Sequence, residues 1–217
     1  MKIIGLTGGI GMGKSTAAAV FRRAGIPVFD ADAAVHRLQA RGGRAVPAIE
    51  AAFPGTIANG AVDRVALRHV VLGKPDALRK LERILHPMVR QEQAAFLRRV
   101  RFAGKRLTVL DIPLLLETGG DRDVDWVVVV SAPRKMQEQR VRRRRGLSAA
   151  HADAIIGRQM PDSEKRRRAD TIISTGLSRH HAFRALDRLI RELRHAPYGA
   201  VRYGDHRFGA ASRAPRH

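Results

Sequence analysis

The sequence predicts an α/β domain, a parallel sheet of five strands with helices on both faces, interrupted by a helical insertion. Three observations carry this. An apolar run over residues 2–7 ends at glycines and leads straight into an Ala-rich helical pattern. Leu107 to Ile112 and Val124 to Val130 are compact runs of Val, Leu and Ile, the pattern of strands buried on both faces of a parallel sheet. Between them, the chain from Ala31 to about Arg101 reads as almost wholly helical.

In chain order, a first strand, a glycine loop, a helix from about Lys14 to Ala24 and a short strand at Pro27 to Phe29 make a β-loop-α-β start. The insertion is punctuated by Pro47, Pro54, Gly60, Lys74-Pro75 and His86-Pro87, the last read as ending a helix because the residue before proline resists α conformation. After the two apolar strands come a basic helix from about Lys135, a second from about Ser148 and a short third near Ser163. A last strand at Thr171 to Ile173 and a helix from Ser178 to His195 close the fold. Residues 196–217 have a Gly, Pro, Arg and His composition without periodicity, which predicts a basic disordered tail.

At 217 residues the chain has room for one such domain, the usual domain being ~100–200 residues. The hydrophobic share of 44% is ordinary, and no run approaches the ~18 apolar residues of a membrane span, so no membrane partner is expected. The start MKIIGLTGG lacks the sections of a signal peptide, which points to the cytoplasm. With no cysteine there is neither a disulfide framework nor a thiolate metal site or nucleophile. The net charge of +21 suggests a polyanion as partner, yet only seven of the 41 basic residues are lysine, as an arginine-rich solvated surface would also give. Aromatics total 5% and no RNA-reading motif is present, so a nucleic-acid partner is not expected.

Gly8-Gly9-Ile10-Gly11-Met12-Gly13-Lys14-Ser15 satisfies G-x-x-x-x-G-K-[ST] in full, after a strand and at a helix start. Glycines let successive N–H groups turn inward and the helix adds its dipole, so Gly9, Ile10, Gly11, Met12 and Gly13 form a cradle for the phosphates of ATP. Lys14 is expected to reach the β- and γ-phosphates, Ser15 to help hold Mg²⁺, and Thr16 to stand beside it. Asp111 ends an apolar strand at the ligand-binding edge of a parallel sheet, either as a Mg²⁺ partner, in the second shell or through water, or as a turn or capping carboxylate. Asp30 and Asp32 end the second strand, where a carboxylate can cap the next helix or take an acceptor's proton. A guanine-reading N-K-x-D string is absent, which argues against a regulatory GTPase. The loop identifies a donor but leaves the acceptor open among nucleotides, sugars and acids.

The chain resembles the dephospho-coenzyme A kinase family from roughly Lys2 to Leu193. The resemblance lies in an ordered set of motifs: GLTGGIGMGKST at Gly5 to Thr16, FDADAAVH at Phe29 to His36, Val62-Asp63-Arg64 with Leu81 to Pro87, DIPLLLE at Asp111 to Glu117, VDWVVVVSAP at Val124 to Pro133, QEQRVRRR at Gln137 to Arg144, Arg158 to Met160, and Ala169-Asp170. It implies the P-loop kinase fold, with the strand order of nucleoside monophosphate kinases, a core of about residues 1–30, 105–135 and 169–195, a substrate-binding insertion at about 31–104 and a mobile lid at about 136–168. It implies ATP as donor, Mg²⁺, dephospho-coenzyme A as acceptor, Asp32 as base for the ribose 3′-hydroxyl, His86 as a contact in the coenzyme A pocket, and Arg140 as the lid arginine on the transferring phosphate. Arg144 is a secondary candidate, while Arg142, Arg143 and Arg145 fit a solvated lid surface. The chain has Ser174-Thr175-Gly176 where many members carry Asn after the final strand.

Overall fold

A computed structural model of the chain describes residues 1–145, 148–157 and 159–195, with only the backbone of Arg144 and Arg145. Gly146 and Leu147 within the expected lid, the Arg144 side chain, Arg158 and the tail 196–217 lie outside the described residues.

The elements are β1 (Lys2–Thr7), α1 (Lys14–Arg23), β2 (Val28–Asp30), α2 (Ala31–Gln39), α3 (Val46–Ala52), β3 (Ile57–Ala58), β4 (Ala61–Val62), α4 (Arg64–Val71), α5 (Pro75–Phe102), β5 (Leu107–Asp111), β6 (Trp126–Ser131), α6 (Arg134–Arg145), α7 (Ala149–Gly157), α8 (Asp162–Arg167), β7 (Thr171–Ser174) and α9 (Arg179–His195). They divide into two compact units, Met1–Val28 with the chain from Gly104 onward, and Phe29–Ala103.

The chain forms a five-stranded sheet of order β2-β5-β1-β6-β7, of which β5, β1, β6 and β7 lie in the first unit. β1 pairs parallel with β5 on one side and β6 on the other, and β6 pairs parallel with β7. The apolar runs sit at its centre: every residue of β5 and β6 is buried. Alternate side chains sort to two faces, as a strand's period of two requires. Ile4, Leu6, Val109, Val128 and Val130 meet Phe21 of α1 and Leu186 and Ile190 of α9, while Val127 and Val129 meet Leu115 and Leu116. Gly5 is needed on that second face, since a Cβ there would lie 2.5 Å from Leu115 Cδ2.

The second unit has its own core, in which Leu38, Ile49, Phe53, Val62, Leu67, Leu81 and Leu85 pack together. Two local readings are corrected here. Pro87 does not end a helix: α5 runs through it for 28 residues. Leu81 and Leu85 before it, and Met88 and Val89 after it, pack on one core while Pro87 faces solvent, so burial on both sides outweighs the missing backbone donor. The insertion is also not purely helical, because β3 and β4 form an antiparallel hairpin. Asn59 and Gly60, at φ 52° and 74°, make its two-residue turn, and Asn-Gly is the pair that such a turn favours.

Candidate active site

The loop between β1 and α1 takes its shape from glycines. Gly11 (φ 76°) and Gly13 (φ 94°) occupy the left-handed region, and a Cβ on Gly8 would lie 2.7 Å from the Val130 carbonyl oxygen. Met12 anchors the loop from below: it is 2% exposed, and its Sδ accepts from the Ala132 amide at 3.1 Å. The Met12 N–H is taken as well, donating to Gly9 O at 3.1 Å, so Met12 shapes the loop and, contrary to the sequence reading, does not meet phosphate. Among the described residues the N–H groups of Gly11, Gly13, Lys14 and Ser15 find no acceptor, so four donors stand at a helix N-terminus where an anion is favoured. Ser15 and Thr16 are exposed in the first turn of α1.

The β1–β5 register sets Leu6 opposite Asp111, so the carboxylate ends its strand beside the loop. Lys14 Nζ donates to Asp111 Oδ1 at 2.5 Å. Asp111 is 3% exposed. The aspartate thus engages the loop's lysine.

Arg140 reaches the loop from α6. Its guanidinium donates to Gly11 O at 3.3 Å, Thr175 Oγ1 at 3.0 Å and Thr175 O at 2.8 Å. Thr175 Oγ1 in turn donates to Met12 O at 2.6 Å. One turn earlier, Gln137 Nε2 donates to Ile10 O at 2.9 Å, and Gln159 Oε1 accepts from Ile10 N at 2.8 Å. Gln137, Arg140 and Val141 recur at helical spacing, which puts them on one face of α6. Arg142 and Arg143 are exposed. Val141 packs with Ala152 and Ile156 of α7, and Ile10 of the loop joins them. Arg134 ties α6 to α7 by pairing with Glu138 at 2.5 Å and with Asp153. Glu138 first, then Asp153, hold its guanidinium above the usual arginine range.

These contacts make Gly11 a sensitive position. A Cβ there would lie 2.9 Å from Val141 Cγ2 and 3.0 Å from Gln137 O, on a backbone that side chains rarely adopt. Gly11→Ala is expected to weaken ATP binding by about 10-fold or more, the scale of roughly 1–3 kcal/mol of strain. Equilibrium titration checks this, and an unchanged Kd would show that the loop tolerates the side chain.

In the second unit, Asp30 caps α2, its Oδ1 accepting from Ala33 N at 2.9 Å. Asp32 stands exposed in the first turn of the same helix. The capping reading of Asp32 is thereby set aside in favour of Asp30. His86 is exposed at mid-length of α5 and lines a groove with Arg79, Glu82, Arg83, Pro87 and Arg90. The structure thus gathers Gly9 to Thr16, Asp111 and Arg140 within one unit, and Asp32 and His86 belong to the other.

Several residues here went unnoticed in the sequence. Gln137 and Gln159 stand inside the motifs at Gln137 to Arg144 and Arg158 to Met160, but nothing in those motifs gives either a role, and Thr175 enters the sequence reading only as a departure. Lys165 lies in a basic run yet is 1% exposed, paired with Glu117 at 2.6 Å. Gly9, Gln137, Gln159 and Lys165 are among the residues lining a cavity of about 530 Å³.

A parallel sheet with this loop at the carboxyl end of β1, a lysine at the helix start and an aspartate on the neighbouring strand defines a P-loop phosphotransferase. The chain belongs to the dephospho-CoA kinase family, whose model matches residues 2–179. It is 52% identical to the dephospho-CoA kinase of Gluconobacter oxydans over 90% of this chain and all of that protein. It is 54% identical to the dephospho-CoA kinase of Mesorhizobium japonicum over 89% of this chain and 98% of that one. A crystal structure from Thermus thermophilus superposes with a TM-score of 0.77 at 38% identity, covering 88% of this chain and 97% of the other.

Proposed function

We propose that this chain transfers the γ-phosphate of ATP to the ribose 3′-hydroxyl of dephospho-CoA. The observation that carries the reading is a complete phosphate loop, with Lys14 and Asp111 beside it, in a chain about half identical to dephospho-CoA kinases over nearly their whole length. The 3′-oxygen attacks Pγ and forms the new O–P bond, the bond from Pγ to the bridging oxygen breaks, and ADP leaves. The hydroxyl proton passes to the Asp32 carboxylate. The amides of Gly11, Gly13, Lys14 and Ser15 hold the phosphates, with Gly9, Ile10 and Met12 shaping the loop, Thr16 beside it, and Lys14 turning its ammonium to the β- and γ-oxygens.

Arg140 counters charge on the transferring group as a planar fork, and residues 136–168 act as the lid that carries it. The small core of Val141, Ala152 and Ile156 supports this, since it joins α6 to α7. Residues 31–104 receive the acceptor, with His86 and the groove along α5 contacting it; their independent core supports that division.

Mg²⁺ fits the donor set. Ser15 and Asp111 offer hard oxygen ligands, and among the described residues no group of three His, Asp or Glu side chains forms a complete cage, as suits an ion that keeps waters and phosphate oxygens. Held there by Ser15 and Asp111, it would supply neutralising charge for the phosphates. Neither nucleic acid nor membrane enters this reading, and among the described residues no helix is long and apolar enough to cross a membrane. The reading implies a cytoplasmic enzyme.

The test is acceptor profiling. Purified full-length protein with Mg-ATP should phosphorylate dephospho-CoA at its 3′-hydroxyl, and should leave nucleoside monophosphates, sugars and shikimate essentially untouched. Faster phosphorylation of any of these would redirect the assignment to another small-molecule kinase.

A further inference from the structure

One residue of the phosphate loop, Ile10, has both of its backbone polar groups held by side chains from distant parts of the chain. Ile10 N–H donates to Gln159 Oε1 at 2.8 Å, and Ile10 C=O accepts from Gln137 Nε2 at 2.9 Å. Gln137 is 4% exposed on α6, and Gln159 follows α7. A glutamine amide supplies one donor end and one acceptor end, so the two side chains satisfy the N–H and the C=O that flank the Ile10 Cα, in two successive peptide groups, without any charge. The Ile10 side chain meanwhile packs with Val141, Ala152 and Ile156. The crest of the loop is therefore fixed by two hydrogen bonds and an apolar contact, all from the α6–α7 segment. Gly9 makes the approach possible, since a Cβ there would lie 3.1 Å from Gln137 Nε2 and 3.4 Å from Gln159 Oε1.

The bracket also decides which amides can meet an anion. A side-chain carbonyl oxygen takes the Ile10 N–H, while the N–H groups of Gly11, Gly13, Lys14 and Ser15 have no acceptor among the described residues. A loop of flexible glycines would otherwise sample orientations in which the donors diverge, and ordering them would cost affinity on each binding event.

We infer that Gln137 and Gln159 are positioning residues that clamp the backbone on both sides of Ile10 and preset the loop's anion cradle before nucleotide arrives, so that the α6–α7 segment and the loop bind ATP as one hydrogen-bonded unit. The inference rests on the reading of the loop as the ATP site, and goes beyond it in making two uncharged residues outside the loop determinants of nucleotide affinity.

The experiment uses the full chain without nucleotide. Backbone amide exchange of Ile10, followed by NMR, should be at least about 10-fold faster in Gln159→Met than in wild type. It should stay slow in Gln159→Glu, whose carboxylate oxygen can accept the same N–H. Gln137→Met and Gln159→Met should each raise the Kd for ATP about 3–10-fold, the weight of one uncharged hydrogen bond, and leave the Kd for dephospho-CoA unchanged. The inference is overturned if Ile10 exchanges no faster in Gln159→Met, or if both methionine variants bind ATP as wild type does. It is equally overturned if exchange accelerates alike at Val128 and Val129 in β6, because that would mark general loosening. Should wild type bind no ATP at all, the donor-site reading fails, and the Ile10 exchange rates still decide whether the bracket exists.

Discussion

Lys14→Ala is expected to lower turnover by on the order of 10²–10³-fold or more, the cost of removing one preorganised charge-stabilising group at a reacting centre. The variant keeps every glycine of the cradle and its free amides, so ATP should still bind, though more weakly, while the cation facing the β- and γ-phosphates is gone. The structure adds a second consequence. Lys14 is the cation against Asp111, a carboxylate only 3% exposed, so the same substitution should also lower stability, by roughly 1–3 kcal/mol. The two effects separate in Lys14→Ala/Asp111→Asn, where the buried charge is removed with its partner: thermal unfolding should return toward wild type and turnover should not. Steady-state kinetics beside an unfolding curve for the three proteins settles this, and near-normal turnover in folded Lys14→Ala would remove the loop lysine from the chemistry.

What the sequence disclosed follows from how each feature is written in it. The central strands were legible because burial on both faces leaves no room for polar alternation, and Val127 to Val130 is one continuous apolar run. The loop was legible because its geometry admits few residues: glycine where φ is positive, lysine and serine where a helix begins beside phosphate. The hairpin at residues 57–62 was missed because strands of two residues have no periodicity to detect, although Asn59-Gly60 stood in plain view as a turn signal. Pro87 was misread because a local rule about proline yields to packing on both sides of it, which only the fold reveals. The bracket on Ile10 was not legible, although both of its glutamines stand inside motifs of the family resemblance. Its partners lie 127 and 149 positions away, and glutamine has no spacing rule by which to announce such a contact. Lys165 is a comparable case, since nothing in the run Lys165-Arg166-Arg167-Arg168 tells the buried cation from its exposed neighbours until Glu117 is brought to it. Thr175 is another: it holds Arg140 and the Met12 carbonyl together from the end of the last strand, a position where the sequence reading attended only to the missing Asn.

Asp32→Asn should separate chemistry from folding more cleanly than any other single change. The helix it begins is already capped by Asp30 through the Ala33 amide, so Asp32 is free of that duty. Its remaining structural contribution is a negative charge in the first turn of α2, worth about 0.3–1 kcal/mol against the helix dipole, and the side chain is exposed. Stability should therefore fall by no more than that amount. Turnover with dephospho-CoA should fall by about 10²-fold or more, because the amide cannot accept the 3′-hydroxyl proton as the O–P bond forms. A loose transition state, in which the acceptor proton departs late, shrinks this loss and sets its lower bound near about 10-fold. ATP affinity should be unchanged, since the donor phosphates are held by the loop and Lys14. Asp30→Ala serves as the control with the opposite signature: losing the cap should cost about 1 kcal/mol of stability, with a smaller loss of turnover. If Asp32→Asn keeps wild-type turnover while Asp30→Asn is inactive, the base is the capping carboxylate, and the acceptor approaches from the strand end instead of the first helical turn.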